Sequence, residues 1–279
     1  MIDALVFMKD REKQCAYCGR TDKKMTREHL WPQALHSRLQ KARGDDQHLF
    51  WLSRLDKEIK TEPQIRDVCH VCNNGILSQL DAYICKLWDQ YFLKIHELGD
   101  SVRFSYDYNL VCRWLLKLCY NSARIHKFDE FVYPPLIPYI LNGSEPVEKF
   151  RLFLQIVPPG KNSTTELESV GMTSSEPMKW DPNYHRVGHI QFTALDGRKK
   201  ILRTVHLRSY CFFLAFFGPK SNESEIDEFS SVFTSQSQSI EYISQTSTTA
   251  NLTCYGVDAW DSFKGSRRKF ASSKNTTKR

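Results

Sequence analysis

Four cysteines carry the clearest chemistry in this chain. They come as two pairs, Cys15-Ala-Tyr-Cys18 and Cys69-His-Val-Cys72, with fifty residues between them. The C-x-x-C spacing lets both sulfurs of a pair point inward from one tight turn, and Gly19 stands where it can close the first turn. Two such knuckles supply four thiolates to one tetrahedral Zn²⁺. No coordination position is then left open, so a metal held this way staples a fold and activates no water. Between the knuckles lies Thr26-Arg-Glu28-His29-Leu-Trp-Pro32, a carboxylate beside an imidazole on an extended segment that a proline stops. A Glu-His pair is commonly surface charge beside a satisfied histidine. Here its place between the knuckles sets it apart.

The elements that must position these residues are legible in the periodicity. From Gly75 the apolar residues Ile76, Leu77, Leu80, Tyr83, Ile84, Leu87, Trp88, Tyr91, Phe92, Ile95 and Leu98 recur at three and four, which predicts an amphipathic helix ending near Gly99. A second helix is expected over Leu110–His126, with Leu110, Val111, Trp114, Leu115, Leu118 and Cys119 on one face. Pro134, Pro135 and Pro138 then break any long element. After Lys149 the pattern turns to strands. Phe150–Val157 ends at a Pro-Pro pair, Val187–Leu195 meets Lys199–Leu207 across Asp196-Gly197, and Tyr210–Phe217 is a continuous apolar run. Residues 160–184 read as a long polar loop. The stretch from Lys220 is rich in Ser, Thr and Gln, with apolar anchors only at Ile226–Phe233 and Ile240–Ile243. The fold class is α+β. Three parts are expected: residues 1–98 with the knuckles and long helix, an α+β part over 99–219, and a weakly ordered tail over 220–279.

Composition narrows the classes. At 279 residues, 41% hydrophobic and 25% charged, the chain is a globular one with enough length for a real core. Its longest apolar run is far short of the ~18 residues a membrane span needs, and MIDALVFMKDREK lacks the pattern of a secretory signal. The nine cysteines are an odd number, which favours metal ligation in a reducing, cytoplasmic setting over a disulfide framework. The net charge of +7 needs locating before it is read as a nucleic-acid signature. Of the 39 Lys and Arg, seven lie in residues 264–279, which hold no Asp or Glu; the other 32 balance the 32 Asp and Glu. A polyanion-binding surface on the body must therefore come from local clustering.

The order of parts over about residues 15–95 resembles the HNH nuclease family in its four-cysteine form: a knuckle, a short strand ending in Glu-His, a variable loop, a second knuckle, then Asn73 and a helix. The resemblance implies a ββα-metal unit around one divalent cation, usually Mg²⁺, beside the structural zinc of Cys15, Cys18, Cys69 and Cys72. It implies that His29 is the general base, that Glu28 is the carboxylate ligand of the catalytic metal, and that Asn73 is its second ligand. The family's middle Asn falls five residues before the third cysteine. Here that position is Gln64, whose extra methylene moves the amide oxygen that would orient the imidazole.

The implied activity is metal-dependent hydrolysis of DNA, leaving a nick with a 5′-phosphate and a 3′-hydroxyl. A histidine with its ordinary pKa near 6.5 serves as a base at neutral pH. A hard Mg²⁺ accepts one carboxylate, one amide and the substrate phosphate while keeping several waters. Stand-alone HNH proteins with an appended domain are frequent in bacterial antiviral defence and mobile-element systems, which by analogy implies an effector role with a partner protein or sensor subunit. The alternative is a zinc-stapled nucleic-acid or protein binding module whose nuclease site has decayed. Arg27, Arg38, Lys41 and Arg43 flank the Glu-His segment and are candidate phosphate contacts. His36 and His48 lie in the variable loop, and His70, inside a knuckle, is read as solvent-facing, with competition for the zinc as the alternative. Cys85, Cys112, Cys119 and Cys211 sit in apolar patterns as buried thiols. Asp81 and Asp89 fall on the polar side of the long helix, with nothing tying them to a metal.

Overall fold

The computed structural model describes residues 14–44, 50–52, 57–59, 62–146, 149–169, 174–193, 199–218, 221–235, 239–255 and 257–262. The fold is α+β. The chain divides into two compact units, one of residues 1–89 with 107–149, the other of residues 90–106 with 150–279. This division differs from the expected boundary after residue 98. The second helix does not open the sheet-rich part but belongs with the cysteine knuckles.

In the first unit, β1 (Met25–His29) pairs antiparallel with β4 (Gln64–Cys69), placing Met25 opposite Cys69 and His29 opposite Gln64. Between them run α1 (Gln33–Arg43), closed by Gly44 at φ 70°, and the short antiparallel pair β2 (Phe50–Leu52) and β3 (Lys57–Ile59). A helical run then leaves the last strand: α2 (His70–Cys72), a wide π turn over Asn73–Leu77 and α3 (Ser78–Leu87), followed by a second π turn over Trp88–Phe92 whose last three residues belong to the second unit. The expected long helix is thus present but begins and ends earlier. Gly75 interrupts it with φ −94° and ψ −115°, and Gly99, at φ 92°, turns the chain after the run rather than capping it.

The second helix, α4 (Tyr108–His126), starts earlier than its apolar pattern suggests because Asp107 caps it, its side chain accepting the N–H of Leu110. Every residue from Val111 to Ile125 is buried. Such a helix needs cover on all sides, and α4 packs on α3, on β4 and on α5 (Ile137–Asn142). Burying Val111, Trp114, Leu115 and Leu118 each stabilises the unit by about 1.5–3 kcal/mol. A chain cut after Leu98 loses all of it. That fragment is expected to show no cooperative thermal transition by circular dichroism, while residues 1–149 keep one; equal transitions would mean α4 is dispensable.

In the second unit, β5 (Ser101–Ser105) pairs with a late strand rather than with a neighbour. Then comes β6 (Lys149–Ile156), where a strand was expected, while the short β7 (Gly160–Lys161), α6 (Thr164–Ser169) and β8 (Lys179–Trp180) occupy the stretch expected as loop. The strands β9 (His185–Thr193), β10 (Lys199–Leu207) and β11 (Tyr210–Phe217) form the expected antiparallel meander, Leu207 opposite Tyr210. With β12 (Ile240–Tyr242) they make a five-stranded sheet ordered β12-β6-β11-β10-β9. β13 (Thr249–Thr253) closes on β5.

The Ser- and Thr-rich stretch is more ordered than its composition implies. In α7 (Glu223–Ser235), Ile226, Phe229 and Phe233 fall on one face and pack against Phe153 and Phe217 of the sheet. Three anchors at helical spacing outweigh the polar residues between them. The basic segment 264–279 lies outside the described residues. Among the described residues no helix is long and apolar enough to cross a membrane.

Candidate functional site

The four knuckle cysteines come together. Cys15 and Cys18 leave one turn, Cys69 ends β4 and Cys72 lies in α2, and their sulfurs all fall within 4.8 Å of one another. The Cys18–Cys69 sulfur separation is 3.6 Å, close to the ~3.8 Å edge of a tetrahedron with 2.3 Å metal–sulfur bonds. Local hydrogen bonds build the turn. Gly19, at φ 70°, donates its N–H to the Cys15 carbonyl at 2.9 Å, and the Ala16 N–H donates to the Asp67 carbonyl of β4 at 2.8 Å. Burial opposes ionisation of Cys15, yet the N–H groups of Cys18, Cys69 and Tyr17 bring its thiol down to about 7. Burial and the neighbouring sulfurs push Cys72 up. Among the described residues this is the one cluster of its kind, and it can hold a metal ion such as zinc. His70 is exposed and stands outside it. Cys85, Cys112, Cys119 and Cys211 are buried, as their apolar settings imply.

The pairing of β1 with β4 slips between Thr26 and Glu28. A slip of this kind changes the parity of the strand. Met25 and Glu28, three apart, therefore both face inward, and Glu28 is only 4% exposed. Its Oε1 accepts Asn121 Nδ2 at 2.9 Å and lies 3.0 Å from Lys117 Nζ. Both partners come from α4. Lys117 also donates to the two oxygens of Asp81 at 2.7 Å each, and Trp114 Nε1 donates to Asp81 at 3.0 Å. Asp81 is thus committed to α4, and Asp89 to Arg38, at 2.8 and 2.9 Å. Burial raises the Asp81 pKa against the pull of Lys117, and the two carboxylates hold the buried Lys117 ammonium above its ordinary value.

His29 has an orienting partner that the sequence reading did not single out. Its Nδ1 lies 2.7 Å from Glu62 Oε2, while Glu62 Oε1 accepts the Trp31 N–H at 2.7 Å. Gln64 touches the ring only at 3.4 and 3.5 Å, almost equally from both ring nitrogens, so it lies against the imidazole without aiming it. The short contact belongs to Glu62. Its signal was the strand register: Gln64 faces His29, and Pro63 keeps Glu62 extended just before β4, so a carboxylate at 62 reaches past the end of β1. With Nδ1–H donating to Glu62, the lone pair sits on Nε2. The Glu62 hydrogen bond raises the His29 pKa above its usual value, against burial. Protonated His29 is therefore favoured by folding. That contribution is full below about pH 6.5 and fades as pH rises through the raised value. The stability gap between the parent and Glu62→Gln should accordingly be wider at pH 5.5 than at pH 8.5 in thermal melts, and a gap independent of pH would break the pairing.

Asn73 donates Nδ2 to Thr26 Oγ1 at 3.0 Å and to the Arg27 carbonyl at 3.2 Å. Those two acceptors fix the amide and leave Oδ1 without a protein partner among the described residues. Among the described residues, the polar contacts of the Glu28 carboxylate likewise fall on Oε1. Both residues line one cavity of about 670 Å³ with Arg27, His29, Asp81 and Lys86. One carboxylate oxygen and one amide oxygen suit a hard divalent cation that keeps its waters, so the residues fit the Mg²⁺ that the resemblance implies.

The basic candidates separate. Arg27 and Lys86 are exposed at the cavity and form no ion pair among the described residues, whereas Arg38 is held by Asp89. Lys41 and Arg43 close the last turn of α1. Burial lowers the pKa of half-buried His36, and His48 lies outside the described residues. Comparisons with protein-family models, with curated proteins and with solved structures gave no match.

Proposed function

We propose that this protein is a metal-dependent phosphodiesterase of the HNH type that nicks DNA. The observation that carries the reading is one cavity lined by a carboxylate-paired His29, by Glu28 and by Asn73. His29 Nε2 takes the proton of the attacking water, and Glu62 stabilises the imidazolium that results. Glu28 and Asn73 would hold a divalent cation, which when bound supplies Lewis-acid stabilisation of the phosphoryl oxygen and the leaving 3′ oxygen. Arg27 and Lys86 offer uncommitted charge to the flanking phosphates. The four-cysteine zinc has no chemical part in this scheme. An effector role in a defence or mobile-element system, gated by a partner or sensor subunit, accompanies the reading by analogy alone.

Lys117 favours a second reading. An ammonium 3.0 Å from Glu28 partly neutralises the carboxylate that would ligate the metal, as in a binding module whose nuclease site has decayed. Supercoiled plasmid separates the two. Mg²⁺-dependent conversion to the open circle by purified protein supports the nuclease; DNA binding without conversion supports the module.

A further inference from the structure

We propose that Asn121, on α4 and outside the segment that carries the Glu-His pair, is a positioning residue that aims Glu28 at the cation site. The inference rests on the metal-dependent reading above. Asn121 is 1% exposed, and its carboxamide uses both of its donors and its acceptor. Oδ1 accepts Tyr17 Oη at 2.8 Å and a guanidinium N–H of Arg124. Nδ2 donates to Glu28 Oε1 at 2.9 Å and to the His29 carbonyl at 3.1 Å. Arg124 has no acceptor, so the atom facing it is the oxygen, and the NH₂ group must face Glu28.

One amide therefore grips the side chain of Glu28 and the main chain of His29 together. The grip is itself anchored. Arg124 is paired with Asp67 of β4 and lies over the Tyr120 ring at 4.6 Å, and Tyr17 comes from inside the first cysteine knuckle. Lys117, Asn121 and Arg124 recur along α4 at four and three, so a single buried stripe of the helix carries the whole network. Because Asn121 and Lys117 both engage Oε1, Oε2 is left without a partner among the described residues. Groups that orient a ligand in this way are typically worth 10–100-fold in metal affinity.

The test is direct binding of Mn²⁺, followed by electron paramagnetic resonance of the full chain, with the parent, Glu28→Gln, Asn121→Ala and Asn121→Asp. Asn121→Asp keeps the acceptor that Tyr17 and Arg124 need, so it preserves the anchor if the alanine variant fails to fold. An added negative charge by itself tightens cation binding, which makes weaker binding in this variant the more telling result. The parent is expected to bind one Mn²⁺ that Glu28→Gln loses, and both Asn121 variants should bind about 10–100-fold more weakly. Their half-maximal Mg²⁺ for nicking should rise by the same factor, with the rate largely restored at saturating Mg²⁺ and the cysteine-bound metal retained. An unchanged or tighter Mn²⁺ Kd in a folded Asn121→Asp variant overturns the inference, as does a parent whose Mn²⁺ binding ignores Glu28. Glu28-dependent Mn²⁺ binding, weakened as described but without any nicking, upholds the role of Asn121 and sinks only the nuclease reading.

Discussion

Replacing Cys69 with serine is expected to strip the metal from the four-cysteine cluster and unfold the first unit. Purified parent protein should carry about one zinc per chain, bound at about 2.3 Å by four thiolates. Serine is a poor ligand for zinc, and three remaining thiolates hold the ion far less tightly. Structural zinc sites bind with apparent free energies of about 10–16 kcal/mol in small domains. That range is comparable to the whole stability of a typical domain, about 5–15 kcal/mol, so losing the ion is a large effect. The architecture amplifies it. The Cys15 turn carries Tyr17, whose hydroxyl holds Asn121, and Ala16, whose carbonyl accepts the Tyr120 hydroxyl at 3.2 Å. Release of the turn therefore loosens α4, the centre of the unit's core. Metal analysis together with calorimetry checks this: the variant should lack zinc and lose the transition of the first unit. A zinc-free variant that melts like the parent would show that the cysteines are not a structural clamp.

How far the sequence disclosed this site depended on whether the signal was local. The two knuckles were legible because each is a four-residue pattern, and the pairing of their sulfurs needed only a turn and a strand end. The helices and the meander were legible because their periods persist over many residues. What escaped were polar residues whose meaning is set by distant partners. Lys117, Asn121 and Arg124 sit in a helix that reads as an apolar stripe with polar interruptions, and only its burial on all sides shows that they face inward. Asp81 looked solvated for the same reason: the partner that claims it is 36 residues away. Glu62 escaped because it precedes its strand, and its reach to His29 follows from register rather than from spacing along the chain. The slip in β1 was equally silent, although without it Glu28 would point away from α4.

The largest functional effect is expected from His29→Ala. A positioned base contributes about 10²–10⁴-fold to rate, and its removal should lower plasmid nicking by that factor at saturating Mg²⁺ and DNA. Binding should barely change. The imidazole contacts Glu62 and lies against Gln64, and in the proposed nuclease the flanking phosphates meet Arg27 and Lys86 instead. Stability should fall by about 1–3 kcal/mol, because the Glu62 side chain is only 8% exposed and loses its partner on one oxygen while keeping the hydrogen bond from the Trp31 N–H on the other. A folded, DNA-competent, inactive protein is thus the expected outcome, measured by melting temperature, DNA binding and nicking on one preparation. Glu62→Gln provides the graded control. It preserves the shape and the acceptor for Trp31 but removes the charge that stabilises the imidazolium, so its rate should lie between parent and His29→Ala. If His29→Ala nicked plasmid as fast as the parent, the base would have to be another group. If Glu62→Gln matched the parent while His29→Ala did not, His29 would act without the carboxylate, and the short contact between them would be structural alone.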